Sequence, residues 1–269
     1  MSSAFLAVLS SPSSSLPLEE FHDWYNNEHV PLRLEQLNEF TAGARYFALP
    51  DEESADKVSS DDPYNPQWLA VYTLTSMDIF NSPAYTRLRD ERSEREKGVF
   101  ARLGVLGRMC GEIVDVFERE GETSMTGFNL PEPTKWVITH GCVLEDRGVD
   151  EVVIRVLDVL RKTTGWIRTT AGRVTEHGVV GIWAQAKEVG RSQGKSIGGA
   201  EPTGSLFFVH GAHPAAVRTP TDRSAIEMER KEDALKALKR LQENLREARS
   251  VRAWELYRAY ECLWQKEAK

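Results

Sequence analysis

Cysteine is scarce and badly placed for cross-linking: Cys110, Cys142 and Cys262 are the only three in 269 residues, widely spaced and without a CxxC pair. An odd number at such spacing excludes a disulfide framework and a zinc knuckle, so a reducing compartment, the cytoplasm, is expected. Basic residues are outnumbered 34 to 41, for a formal charge of −7. Such a balance repels a phosphate backbone, and nucleic acid is not an expected partner. Long apolar runs are missing too. Met1 to Leu9 is mildly apolar but lacks a basic leader, and Ser10 to Ser15 interrupt it well before the ~20 apolar residues that a membrane span needs. No targeting segment and no membrane association are expected. The chain also lacks a Walker loop and a G-x-G-x-x-G fingerprint, which leaves nucleotide and dinucleotide chemistry without support.

What remains is an ordinary globular composition, 41% hydrophobic and 28% charged, able to offset the chain entropy lost on folding. Pro131-Glu132-Pro133 follows a Gly/Ser/Thr-containing stretch from Gly121 to Asn129, a composition that propagates neither helix nor strand. It predicts one unit over 1–120, a linker over 121–134 and a second unit over 135–269. In the first, the periodicity predicts strand Ala4–Leu9, helix Pro17–Val30, strands Phe40–Leu49 and Trp68–Thr75, a helix from Pro83 to about Arg102, and strand Cys110–Phe117. The second gives strand Trp136–Leu144, helix Val149–Lys162, strand Ile167–Thr175 with a continuation toward Trp183, strand Leu206–Gly211, helix Ile226–Ala248 and strand Arg252–Tyr260. Both read βαββαβ, the ferredoxin-like split unit, so the fold class is α+β with two tandem copies. Leu69-Ala70-Val71-Tyr72 lines up with Phe207-Phe208-Val209-His210, and Thr41-Ala42-Gly43 with Thr170-Ala171-Gly172. The Gly/Ser/Lys-rich segment 187–204 reads as a loop, either a lid or a surface insertion.

Chemistry concentrates in Phe21-His22-Asp23-Trp24-Tyr25-Asn26-Asn27-Glu28-His29-Val30-Pro31. Leu18, Phe21, Tyr25, His29 and Leu32 follow helical spacing, which puts Tyr25 and His29 one turn apart on the inward stripe and His22 on the surface. Pro31 should end or kink the helix at Val30. His29 then sits in the last turn, where the helix dipole favours imidazolium and burial favours the neutral ring, a balance suited to proton transfer near neutrality. A packed core histidine would show the same pattern. Arg45 and Tyr46 alternate faces, so only one can enter a pocket; Arg45 suits a carboxylate or enolate oxygen, or a salt bridge to Glu28 or Asp23. Tyr72 is an inward candidate donor or a core tyrosine. His210 and His213 form H-x-x-H and His140 with Cys142 forms H-x-C, but three-residue spacing in a strand points side chains to opposite faces and no third ligand is spaced for a site. No metal is expected. The charge runs Arg87–Lys97 and Met228–Arg249 read as solvated helix faces.

The stretches EEFHDWYNNEHVPLRL, FTAGARYFAL, WLAVYTL and SPAYTRLRDERSEREKGV, from about Ala4 to Glu118, resemble the fungal EthD-like branch of the dimeric α+β-barrel superfamily. TTGWIRT, LFFVHGA and RAWELYRAYE resemble the second unit of its tandem members. The resemblance implies two ferredoxin-like units whose four-stranded sheets pair face to face into a barrel, with helices outside and a pocket between each sheet and its covering elements. With both units in one chain, a monomer that imitates the family dimer is expected. Relatives include cofactor-independent polyketide cyclases, dehydratases, decarboxylases, isomerases and quinone-forming monooxygenases, and the motif histidine, here His29, is their usual general acid/base. The second unit departs from the pattern, since Val149-Asp150-Glu151-Val152-Val153-Ile154-Arg155-Val156-Leu157 replaces the aromatic-histidine cluster.

The expected protein is a cofactor-free cyclase, dehydratase or isomerase acting on a small, polyketide-like or other apolar metabolite. His29 would move the proton, Arg45, Tyr72 or Asn26 would hold the oxyanion, and Trp24, Tyr25, Tyr46, Phe47 and Trp68, with His210 from the second half, would contact substrate. A cofactor-free monooxygenase of a phenol and a non-catalytic ligand-binding or stress-associated module are the alternatives.

Overall fold

The protein is described by a computed structural model, covering residues 3–50, 65–119, 128, 130, 133–143, 148–163, 165–185, 205–212, 223–245 and 248–262. Residues 187–204, His213 and most of the 121–134 linker lie outside the described residues, as does the side chain of His210. The elements run β1 (Ala4–Pro12), α1 (Leu18–Trp24), a π-helical turn (Tyr25–His29), α2 (Val30–Gln36), β2 (Phe40–Ala48), β3 (Trp68–Leu74), a 3-10 turn (Met77–Asn81), α3 (Pro83–Asp90), α4 (Glu94–Ala101) and β4 (Leu103–Glu118). They continue with β5 (Trp136–Val143), α5 (Val149–Leu160), β6 (Trp166–Val180), β7 (Ser205–Ala212), α6 (Arg223–Asn244) and β8 (Ala248–Tyr260).

All eight strands are antiparallel to their neighbours and close into one barrel in the order β1-β3-β2-β8-β5-β7-β6-β4. This is the dimeric α+β-barrel fold with both halves supplied by one chain. The expected face-to-face pairing needs one addition: the halves also join edge to edge, through β2–β8 from Gly43↔Tyr260 to Ala48↔Trp254 and β4–β6 from Leu106↔Val180 to Glu118↔Arg168. Each of the described strands therefore has a neighbour on both sides.

Strict alternation along the strands separates two kinds of core. Ala4, Leu6, Val8, Ala70, Tyr72 and Leu74 face the helices of the first half. Phe5, Ala7, Ala42, Ala44, Tyr46, Leu69, Val71, Val137 and Trp254 fill the barrel. The barrel interior is a packed core in which Trp254 Nε1 donates to Thr139 Oγ1 (2.8 Å) and the Tyr46 hydroxyl donates to the Thr134 carbonyl (2.9 Å). Tyr46 is therefore structural, not a pocket residue. The alignment of Gly43 with Gly172 is out of phase. A Cβ on Gly43 would meet the Tyr72 ring on the helix side at 3.0 Å, whereas one on Gly172 would strike Phe5 inside the barrel at 2.3 Å. One residue of slip exchanges the faces, so the in-phase counterpart of Arg45 is exposed Arg173.

Two helices also depart from expectation. The first passes through Pro31 and runs to Gln36. A proline in a helix lacks its N–H and crowds the carbonyl four residues earlier. The π turn just before it, where the Val30 N–H reaches back five residues to the Tyr25 carbonyl, widens the helix and relieves that clash. The Pro83–Arg102 helix is instead broken at Glu91–Ser93, because Ser93 is extended and its hydroxyl caps α4 by accepting from the Glu96 N–H (3.0 Å).

Candidate active site

The site lies where the π turn crosses the helix-facing side of the first sheet. The widened turn carries Tyr25, Asn26 and His29, and sets Tyr25 and His29 inward, both buried. α4 is clamped over this turn: Arg95 bonds Asp23, Ser93 bonds Glu28, and Arg102 Nη1 reaches Glu20 (2.9 Å). These locks consume both carboxylates considered for Arg45. They also place Glu96 beside His29, with Nδ1 2.8 Å from Glu96 Oε1.

Both partners are almost inaccessible, His29 at 6% and Glu96 at 2% exposure. Burial, reinforced by the guanidiniums of Arg33, Arg92 and Arg45, holds the His29 pKa well below its usual range. Burial raises the Glu96 pKa, opposed by Arg33 and Arg92. The pair is therefore read as neutral imidazole against carboxylate, not as a charged bridge, and this tautomer leaves Nε2 as the acceptor. Arg33 Nη1 donates to the His29 carbonyl (2.6 Å), fixing the backbone from below. The Trp24 ring centre lies 4.4 Å from that of His29 and Tyr25's lies 5.1 Å away.

On the other side of Tyr25 sits Arg45, 1% exposed. Its guanidinium carbon lies 4.1 Å from the Tyr25 ring centre, with Phe21, Tyr257 and Trp68 at 5.2–5.5 Å. Nη1 donates to Asn26 Oδ1 (3.0 Å) and Nη2 to His22 Nδ1 (3.1 Å). Among the described residues no carboxylate neutralises it. A buried cation held only by neutral acceptors and aromatic faces is a preorganised receptor for negative charge. Three further groups find no hydrogen-bond partner among the described residues: the buried hydroxyls of Tyr25 and Tyr72 and the indole N–H of Trp24. Ser10 lies beside the Tyr25 hydroxyl without meeting hydrogen-bond geometry. Burial pushes both phenol pKa values up, so both are neutral donors.

His22 is not a surface residue. It is half-buried, its ring stacks on Tyr257 at 4.6 Å and meets Trp68 edge-on at 4.4 Å, and burial with the Arg45 charge lowers its pKa to about 4. Half-buried His22, Asn26 and Trp68 and exposed Tyr257 form the solvent-facing edge of this cluster. Phe47 touches its edge, 6.2 Å from Trp68. His210 is on β7, opposite Ile138 and Thr169, in the other half of the barrel.

Sequence reasoning missed three residues. Glu96 belongs to a charge run read as solvated, although Ser93-x-x-Glu96 is a capping pattern that marks its place in a first helical turn. Tyr257 and Tyr260 come from β8, where a register shift between Arg45↔Arg258 and Tyr46↔Leu256 inserts Tyr257 as an extra residue. Tyr260 donates to the same Asn26 oxygen that Arg45 uses. Among the described residues, no three of His, Cys, Asp and Glu converge as a metal site, and no helix is long and apolar enough to cross a membrane.

No protein-family model matches the chain, and comparison with curated proteins finds no match. Among solved structures, an anthrone oxidase-like protein is similar in fold, with 7% identity, 97% of this chain and 94% of that chain covered, and a TM-score of 0.52. A "Putative monooxygenase" from Fusobacterium nucleatum aligns over 97% of this chain and 94% of its own at 6% identity and a TM-score of 0.44.

Proposed function

We propose that the protein is a cofactor-independent enzyme that removes a proton from a small, mostly apolar substrate bearing an enolisable carbonyl or a phenol. The observation that carries this is the buried His29–Glu96 pair, a neutral base oriented by a carboxylate. His29 Nε2 takes the proton. The charge that develops on the substrate oxygen is held by Arg45, whose N–H groups exchange Asn26 and His22 for the oxyanion. Tyr25 and Tyr72 supply the remaining hydroxyl donors, and Trp24 with Trp68 forms the apolar wall. Protonation elsewhere on the enolate gives isomerisation, expulsion of hydroxide gives dehydration, and attack on an internal carbonyl gives cyclisation.

A second outcome is supported by the fold it shares with the anthrone oxidase-like protein. If the carbanion meets dioxygen, an activated CH2 becomes C=O and the second oxygen atom leaves as water, so the substrate itself is the reductant. Incubation with anthrone and with enolisable phenolic ketones, following oxygen uptake and product mass, separates these outcomes. One dioxygen per turnover identifies oxygenation, and turnover without oxygen identifies proton transfer alone. Absence of turnover across the panel, with saturable binding, would instead favour a ligand-binding module. Since the barrel closes within the chain, we expect a monomer, and light scattering at one chain mass, 30.4 kDa, against twice that value, decides this.

A further inference from the structure

A hollow of about 510 Å³ is lined by Glu118, Arg119, Arg161, Thr163 and Trp166. It is made where β4 ends, β6 begins and the chain leaves α5. Gly165, at φ +81°, makes the turn between α5 and β6, a backbone geometry that a side chain would strain. The volume falls within the ~300–1,000 Å³ range of small-molecule sites.

Most of the polar groups around the hollow are already committed. Glu118 is neutralised by Arg168 across the β4–β6 pair. The Thr163 hydroxyl donates to the Val159 carbonyl (3.1 Å), and buried Trp166 donates its N–H to Thr169 Oγ1 (2.9 Å), leaving its ring as an apolar wall. Arg119 and Arg161 are different. Neither side chain has a hydrogen-bond or carboxylate partner among the described residues. Both guanidiniums line one hollow, and among the described residues the carboxylate that lines it, Glu118, is taken up by Arg168. A dianion offers a partner to two planar forks at once.

We propose that this hollow binds a small organic phosphate monoester, the phosphoryl group held between Arg119 and Arg161 and the organic group against Trp166. A phosphate monoester carries close to two charges above its second pKa of about 6, matching the two cations, whereas a carboxylate matches one. The site is independent of the proton-transfer chemistry proposed above, and its test uses no turnover.

The experiment is calorimetric titration of the full chain with phenyl phosphate at pH 7.5 and low ionic strength, beside benzoate. Saturable one-to-one binding of phenyl phosphate is expected, at least tenfold tighter than benzoate, and weakened at least tenfold in Arg119→Gln and in Arg161→Gln. Both arginines are exposed, so these variants should melt like the parent. Lys239→Gln, on the exposed face of α6, removes one charge elsewhere and should bind as the parent does. Failure of the parent to bind, equal binding of benzoate, parent-like binding by the arginine variants, or an equal loss in Lys239→Gln would each overturn the proposal.

Discussion

The two halves of the barrel place a helix over the same face of their sheets and fill it with opposite chemistry. In the first, the buried residues of the crossing helix are Phe21, Trp24, Tyr25, His29, Val30, Arg33 and Leu34, and the helix is widened by a π turn. In the second, α5 is a regular helix that buries Val152, Val153, Val156, Leu157 and Leu160. The difference extends beyond the helix. The first half surrounds its buried polar groups with Glu96, Arg45, Asn26 and Arg33, whereas among the described side chains of α6 those packed into the α5 cluster are apolar, Ala234, Leu235, Ala237, Leu238 and Leu241. A buried polar group without partners costs about 1–3 kcal/mol, so a histidine on α5 would destabilise the second half without acquiring a base's surroundings. The surroundings of His29 are thus set by the second layer of side chains as much as by the helix that carries it.

The largest expected effect tests the base. His29→Ala should lower turnover by about 10²–10⁴-fold while circular dichroism and chromatographic behaviour stay unchanged; unchanged turnover would remove the asymmetry between the halves. Next comes Arg45→Met, which keeps an unbranched side chain. Loss of one strong oxyanion partner should cost about 10²-fold in turnover, yet removing a buried cation without a counter-ion should leave the melting temperature level or higher. A fall in both would show that Arg45 serves the fold.

A smaller effect concerns His140, the buried histidine of the second half, whose pKa burial lowers to about 4. Its folded pKa lies below the unfolded value of about 6.5. Above pH 6.5 both states are neutral there; as pH falls toward 4 the unfolded state alone takes up the proton, and stability is lost. Denaturant midpoints at pH 7 and pH 5 should therefore differ less in His140→Gln than in the parent. An identical pH dependence would mean that other groups, His29 among them, account for the acid sensitivity. The smallest effect is Tyr260→Phe, which removes one donor to Asn26 and should cost less than about tenfold in turnover, on the scale of one neutral hydrogen bond. A larger loss would show that the second half takes a direct part in the chemistry of the first.

Much of the architecture could be read from local patterns. The twelve expected strands and helices appear in the stated order, though β4 begins at Leu103, seven residues before the expected Cys110, because alternation and helical spacing are short-range consequences of which faces must be buried. The helix exceptions have local causes as well: Pro31 is accommodated by a π turn, and Ser93 divides one expected helix into two. The Tyr25–His29 stripe was likewise legible, since its spacing and its aromatic neighbours stand within three turns.

The amino-acid sequence by itself thus determined the βαββαβ repeat, the inward stripe and the absence of a matching stripe in the second half, all carried by contacts a few residues apart. Only the tertiary structure decided that Glu96, 67 residues away, orients His29, that His22 turns in to Arg45, and that Tyr46 belongs to the barrel while Arg45 belongs to the site. It alone brought Tyr257 and Tyr260 from β8 to the edge of a site more than 200 residues earlier in the chain. Strand pairing between halves depends on barrel closure and on a register shift, and such long-range geometry leaves no periodic trace in either strand's own sequence.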